Sequence, residues 1–200
     1  MKPRLLLMIG VAALVVAAGF LAMNRVGAGR GELHGTYLEP PLPAADFELT
    51  SADGPVRLAE LRGKVVVLFF GYTFCPDVCP TTMVRLGQAM ELLGKDAERV
   101  QVIMVSVDPE RDTPEKLAQY ARAFHPSFLG VTGTREEIDA VASAYGIYHA
   151  KAEGSGATGY LVDHSANVTV IDRRGGVRLI WPYNVEAADV ASDLRFVLRQ

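Results

Sequence analysis

Six consecutive residues, Val65-Val66-Val67-Leu68-Phe69-Phe70, carry no polar side chain. A strand with one wet face alternates apolar and polar residues, so an unbroken run of strand length marks a strand covered on both faces. Residues Val100 to Val107 form a second buried run of this kind. Between the two, Met83, Leu86, Ala89, Met90 and Leu93 fall at helical spacing, and the stripe stops at Gly94. Buried strands alternating with helices specify an α/β sheet with helices on both faces. The alternation continues downstream. Thr113-Pro114 opens a helix, with threonine as its cap and proline at its first position, and the helix ends before His125-Pro126. Phe128 to Val131 reads as a third strand, and the capping box Thr134-Arg135-Glu136-Glu137 opens a helix that reaches Tyr145. Val168–Ile171 and Val177–Trp181 form a hairpin, and Ala187 to Leu198 closes the chain as a helix. Upstream, Phe47 to Thr50 alternates and Asp53-Gly54 signals a turn, so an N-terminal β-hairpin extension is expected, followed by a helical turn over Leu58 to Gly63. In sheets of this kind the chemistry sits beyond the carboxyl ends of the parallel strands, which here means just after Phe70 and just after Val107.

The domain so described runs from about Asp46 to Gln200. Ahead of it, Leu5 to Met23 is an unbroken run of 19 apolar or small residues flanked by Lys2 and Arg4. As a helix it would reach about 28 Å, close to the ~30 Å hydrocarbon thickness of a bilayer. The run exceeds the usual apolar stretch of a cleaved signal, so one transmembrane helix within residues 1–23 is expected, with its amino terminus inside and the domain outside. Val26-Gly27-Ala28 keeps a cleaved leader as the alternative. Residues 24–45 read as a linker, glycine-rich at first and then stiffened by Pro40, Pro41 and Pro43.

Charge narrows the partners. The chain holds 20 Lys and Arg against 23 Asp and Glu, a formal charge of −3. Residues 1–30 contain four of the cations and none of the acids, which leaves 16 cations against 23 acids in residues 31–200. A domain that acidic is not built to neutralise phosphates, so nucleic acid is not expected as a partner. Two cysteines exclude a disulfide-dense scaffold and a four-thiolate zinc or iron–sulfur site.

Both cysteines lie at a strand-to-helix junction, Gly71-Tyr72-Thr73-Phe74-Cys75-Pro76-Asp77-Val78-Cys79-Pro80. Pro80 lacks an N–H and restricts the residue before it, so the helix is expected to begin at about Pro80, with Cys79 at its cap and Cys75 in the loop. Both sulfurs would then sit near free N–H groups and the positive end of the helix dipole, which favours thiolate over thiol. Three intervening residues let the sulfurs meet, either as a disulfide or around a shared metal. A purely structural disulfide closing so short a loop would stabilise little.

Around these thiols the sequence resembles the Sco/SenC family of membrane-tethered copper proteins. The resemblance spans roughly residues 46–200. It is carried by Gly63-Lys64-Val65-Val66-Val67, by the Gly71–Pro80 segment, by Ser106-Val107-Asp108-Pro109-Glu110-Arg111-Asp112-Thr113 and by Tyr160-Leu161-Val162-Asp163-His164-Ser165. Cys-Pro-Asp-Val-Cys-Pro with a distant Asp-His is specific, where a bare Cys-x3-Cys would be weak. The resemblance implies a thioredoxin-like fold and copper bound by Cys75, Cys79 and His164. It implies a destination as well, the binuclear copper centre of a cytochrome c oxidase. The expected partners are the oxidase subunit carrying that centre and an extracytoplasmic thiol reductant; the expected location is the inner membrane, single-pass, with the domain in the periplasm. Two thiolates and one imidazole are a soft, low-coordination set suited to Cu(I), while tetrahedral zinc requires a fourth ligand. Whether Cu(I) or Cu(II) is carried stays open. Asp163 is a candidate to orient the His164 ring.

The remaining candidates are weaker. His34 lies in the linker, His125 at a helix end, and His149 follows a helix with no ligand spacing nearby, so none is expected to bind metal. Met83 and Met104 fit an apolar stripe and a buried strand and are expected in the core. Asp108, Glu110, Arg111 and Asp112 either form a solvated loop or tune the site and its partner contacts. Two functions compete: a metallochaperone, and a thiol–disulfide oxidoreductase using Cys75 and Cys79 as a redox pair on the oxidase cysteines or another partner. Thioredoxins resemble one another in placing a cis-proline opposite the thiols, and His164 to Asn167 contain none, which leaves room for a metal. The Thr-x-x-Cys spacing of a peroxiredoxin is missing, whereas a copper or redox sensor would share the same ligands.

Overall fold

A computed structural model describes residues 33–152 and 159–200. The expected anchor within residues 1–23 lies outside them, and among the described residues no helix is long and apolar enough to cross a membrane. In chain order the elements are β1 (Thr36–Pro43), β2 (Glu48–Ser51), β3 (Gly54–Arg57), β4 (Val65–Gly71), α1 (Val78–Leu93), β5 (Val100–Ser106), α2 (Pro114–Phe124), β6 (Leu129–Val131), α3 (Arg135–Ala144), β7 (His149–Lys151), β8 (Val162–His164), β9 (Val168–Ile171), β10 (Gly176–Trp181) and α4 (Ala187–Leu198). Six strands make one sheet in the order β1-β10-β9-β4-β5-β6, and β2–β3 and β7–β8 are separate two-stranded ribbons.

The apolar run identified above becomes the central strand. β4 pairs in parallel with β5, from Val65 opposite Val100 to Gly71 opposite Ser106, and antiparallel with β9, from Val66 opposite Ile171 to Phe69 opposite Val168. All seven residues of β4 and all seven of β5 are buried, as the absence of alternation requires. Phe69 and Phe70 are wholly inside, each stabilising by about 1.5–3 kcal/mol relative to exposure. Helix α1 packs on α4 and α2, while α2 packs on β6. Two approaches are too close for a side chain: a Cβ at Gly87 would meet the Phe124 carbonyl at 2.6 Å, and one at Gly130 would meet the Leu117 carbonyl and Cβ at 2.6 Å.

Two segments differ from expectation. Residues 36–43, within the expected linker, form β1 on the edge of the sheet, antiparallel to β10, with Thr36 opposite Ile180 and an irregular register between Tyr37 and Leu42. An edge strand needs ladder bonds on one side only, so Pro40, Pro41 and Pro43 are tolerated there. The buried Arg178 holds this edge, its guanidinium donating to Glu39 at 2.9 Å and to Asp172 at 3.1 Å. Leu33, Tyr37, Leu38 and Ala44 also pack on the core, so the compact unit begins at Leu33 and not near Asp46. The second difference is the β7–β8 ribbon, whose three-residue strands are too short to leave a period in the sequence.

The register brings several chain ends to one pole. The end of β4, the end of β5 and the approach to β9 lie side by side, and Trp181 opposite Val168 adds the end of β10. Replacing Gly130 with alanine should push β6 off α2 and destabilise the domain by about 1–3 kcal/mol, read as a lower urea midpoint with an unchanged slope.

Candidate metal centre

The thiol loop leaves β4 at Gly71 and enters α1 at Val78, so Cys79 lies inside the first helical turn rather than at its cap. Pro80 occupies the third helical position, where the N–H would have no intrahelical partner anyway, and therefore does not delay the helix start. A buried carboxylate fixes the loop from β5. Asp112 accepts from the Thr73 backbone N–H at 3.0 Å and from the Ser106 hydroxyl at 2.7 Å, and the Thr73 hydroxyl donates to its other oxygen. Gly71 keeps the interior open, because a Cβ there would stand 2.9 Å from the Cys79 sulfur.

Cys75, Cys79 and His164 converge: their donor atoms all lie within 4.8 Å of one another, the one such group of three among the described residues. Metal–nitrogen and metal–sulfur bonds of about 2.0–2.3 Å place donors up to about 4.6 Å apart, so the triangle is nearly of coordinating size. The Cys79 sulfur is 3.3 Å from His164 Nε2. His164 Nδ1 is 3.0 Å from the Ser165 carbonyl, which can only accept, so Nδ1 donates there and Nε2 is the nitrogen turned toward the sulfurs. This carbonyl fills the orienting role expected of Asp163, whose side chain is exposed instead. Tyr72 and Phe69 wall the imidazole edge-on, with centroids 5.8 and 6.3 Å away.

The two thiols are unequal. A hydrogen bond from Cys79 draws the Cys75 pKa down to about 4 against the opposing effect of burial; His164 and the Asp77 and Cys79 backbone N–H groups assist. The Cys79 N–H donates to the Cys75 sulfur at 3.4 Å. Cys79 moves the other way, held protonated by its bond to Cys75, by burial and by the negative charge of its neighbour. The expectation that the helix terminus favours thiolate at both sulfurs therefore holds for Cys75 alone, because two adjacent thiolates in a buried site repel.

The other candidates are placed elsewhere. His34 belongs to the folded unit rather than a tether: its backbone N–H donates to the fully buried Asp193 at 3.0 Å, its Nδ1 is 3.1 Å from the same carboxylate and its Nε2 3.2 Å from Asp189. His125 meets Ser127 at 2.8 Å and His149 meets Asp139 at 3.2 Å. Met83 and Met104 are core residues. Asp108 and Asp112 are buried rather than solvated, and Glu110 binds Lys151 and Arg135 at the surface. The roles of Tyr72 and Ser165 at the site have no mark in the sequence, since an aromatic wall and a backbone acceptor leave no residue-type signal.

The SCO1/SenC family matches residues 36–199. An SCO2-like protein of Rickettsia felis is 32% identical over 171 residues, covering 84% of this chain and 82% of its own. Apo Sco1 of Thermus thermophilus is 47% identical with a TM-score of 0.74, covering 82% of this chain and 96% of that one. Bradyrhizobium japonicum ScoI, solved with copper bound, is 36% identical with a TM-score of 0.70, covering 76% and 98%. The α/β, thioredoxin-like fold is thus shared with these structures.

Alkylation of the reduced, metal-free protein by iodoacetamide should follow the thiolate. Cys75 should stay reactive down to about pH 4, half-maximal there rather than near pH 8.5, while Cys79 resists through neutral pH; mass spectrometry of the two peptides checks both.

Proposed function

The chain belongs to the SCO1/SenC family, and we propose that it is a copper metallochaperone, holding the ion between Cys75, Cys79 and His164 and delivering it to the binuclear copper centre of cytochrome c oxidase during assembly. The observation that carries this reading is the triangle of two sulfurs and one imidazole nitrogen. Its donors suit a soft monovalent ion of low coordination number. A related ScoI is solved with copper bound, and a structural neighbour is described as a member of the Sco family of cytochrome c oxidase assembly proteins. Cys75 needs no proton removed before it can bind, and Cys79 releases one on binding, so capture is favoured as pH rises. Cys75 is half-buried and accessible, which suits handover by exchange with an incoming partner thiolate. We read residues 1–23 as the anchor holding the domain at the periplasmic face of the inner membrane, on the strength of the 19-residue apolar run.

One observation favours the competing reading, thiol–disulfide exchange: an ionised Cys75 beside a protonated, buried Cys79 resembles an attacking and a resolving pair. Magnitudes weigh against it as the main activity. Full ionisation at pH 7 gains about thirtyfold over an ordinary thiol, but the accompanying loss of basicity, at a Brønsted slope of about 0.4–0.5, costs about a hundredfold in attack rate. A low pKa therefore makes Cys75 a ready metal donor and a good leaving group more than a fast nucleophile.

Anaerobic titration of the full-length, reduced protein with Cu(I) against bicinchoninate separates the two. His164→Ala should lower Cu(I) affinity by more than about tenfold, the least that removing even a group supporting a ligand commonly costs. It should also remove a nitrogen neighbour from the X-ray absorption spectrum while leaving Cys75–Cys79 disulfide formation intact. Full affinity in that variant overturns the ligand set. Rescue of oxidase copper loading by the variant in cells lacking the protein would transfer the function to thiol exchange.

A further inference from the structure

His164 is placed by unusually few ladder contacts. It ends β8, a three-residue strand that pairs only with β7 and lies outside the main sheet. What ties β8 to the thiol loop is a set of side chains after β5. Arg111 stands at its centre, with its Cζ 3.7 Å from the ring centroid of Tyr160, 4.7 Å from that of Phe74 and 5.8 Å from that of Tyr72. Phe74 adjoins Cys75, and Tyr160 lies four residues before His164. The guanidinium also donates to the Tyr160 carbonyl at 2.9 Å. The Tyr160 hydroxyl donates to Asp108 at 2.6 Å, and Asp108, whose side chain is fully buried, accepts from Arg111 Nε. Tyr72 completes the link, its hydroxyl accepting from the Val162 N–H at 3.2 Å.

We propose that Arg111 is a positioning residue for His164: by stacking on Tyr160 and Phe74 together, with Asp108 setting its orientation, it fastens the histidine-bearing strand to the thiol loop. The planar guanidinium can face aromatic rings and donate in its own plane at the same time, which an ammonium cannot. Without the clamp, β8 keeps its ribbon partner but loses its fixed distance from the sulfurs. The protein would then hold the ion by two sulfurs with the imidazole in place only part of the time. Arg111 thereby governs how readily His164 lets go, which is the step that opens a coordination position to a receiving partner. This inference rests on the reading of His164 as a ligand.

A double-mutant cycle in the full-length, reduced protein tests it, with Cu(I) affinity read by bicinchoninate competition. Arg111→Met should weaken binding by about tenfold when His164 is present, yet change it less than about twofold in the His164→Ala background, since an effect exerted through one ligand vanishes with that ligand. Tyr160→Leu, which removes the other half of the stack from a half-buried position and leaves the Arg111–Asp108 pair intact, should show the same dependence on His164 and serves if Arg111→Met does not fold. Arg111→Lys, which keeps the charge, should recover little of the affinity. Equal losses in both backgrounds, no loss with His164 present, or full recovery by lysine would each overturn the role of Arg111. Failure of the ligand reading shows separately, as His164→Ala alone binding Cu(I) at full strength.

Discussion

The ladder around β4 sets where the chain leaves the sheet for the candidate metal centre. Its bonds to β5 and β9 are fully buried, so no water competes for them, and sliding either pairing by one residue would turn every side chain to the opposite face. With the register fixed, the chain that leaves β4 carries Cys75 and Cys79, the chain that leaves β5 carries Asp108, Arg111 and Asp112, and the chain approaching β9 carries His164. Three stretches distant in sequence thus arrive at one pole, and contacts among them, those of Arg111 with Phe74 and Tyr160 included, join the short β8 strand to the thiol loop. Asp112 then tightens the arrangement by holding Thr73 through two hydrogen bonds inside the protein, where leaving such a carboxylate unpaired would be costly.

Proximity also divides the labour between the sulfurs. Burial alone would raise both thiols, and the helix terminus alone would lower both; their closeness breaks the tie by letting one proton serve two sulfur atoms. The imidazole adds a nitrogen whose direction is set by a backbone carbonyl on the other side of the ring. One thiolate in place of two limits the electrostatic cost of keeping the sulfurs in a partly buried place.

Much of this was legible in the sequence. The unbroken run at Val65–Phe70, the capped helices at Thr113 and Thr134, and the hairpin around Gly175 follow local rules that tertiary contacts did not overrule. Cys75 and Cys79 could be placed at a strand end because the strand itself could be read. His164 could not be joined to them from spacing, since 85 positions separate it from Cys79 and only the tertiary fold brings them together; the link came from the family resemblance. β1 differs because proline density suggests a linker, and an edge strand held by a buried arginine of the neighbouring strand β10 has no local mark. The inequality of the thiols was hidden for a similar reason, arising from a distance between two side chains and not from either residue's own setting.

Because Thr36 lies opposite Ile180 while the turn after Asp172 closes the other end of β10, the chain enters its folded part on the thiol side of the sheet. Gln200 borders Asp172, Arg173 and Arg174 at the far side. A fluorophore or affinity handle carried on Gln200 therefore sits at the pole opposite the thiols and leaves the approach to Cys75 clear.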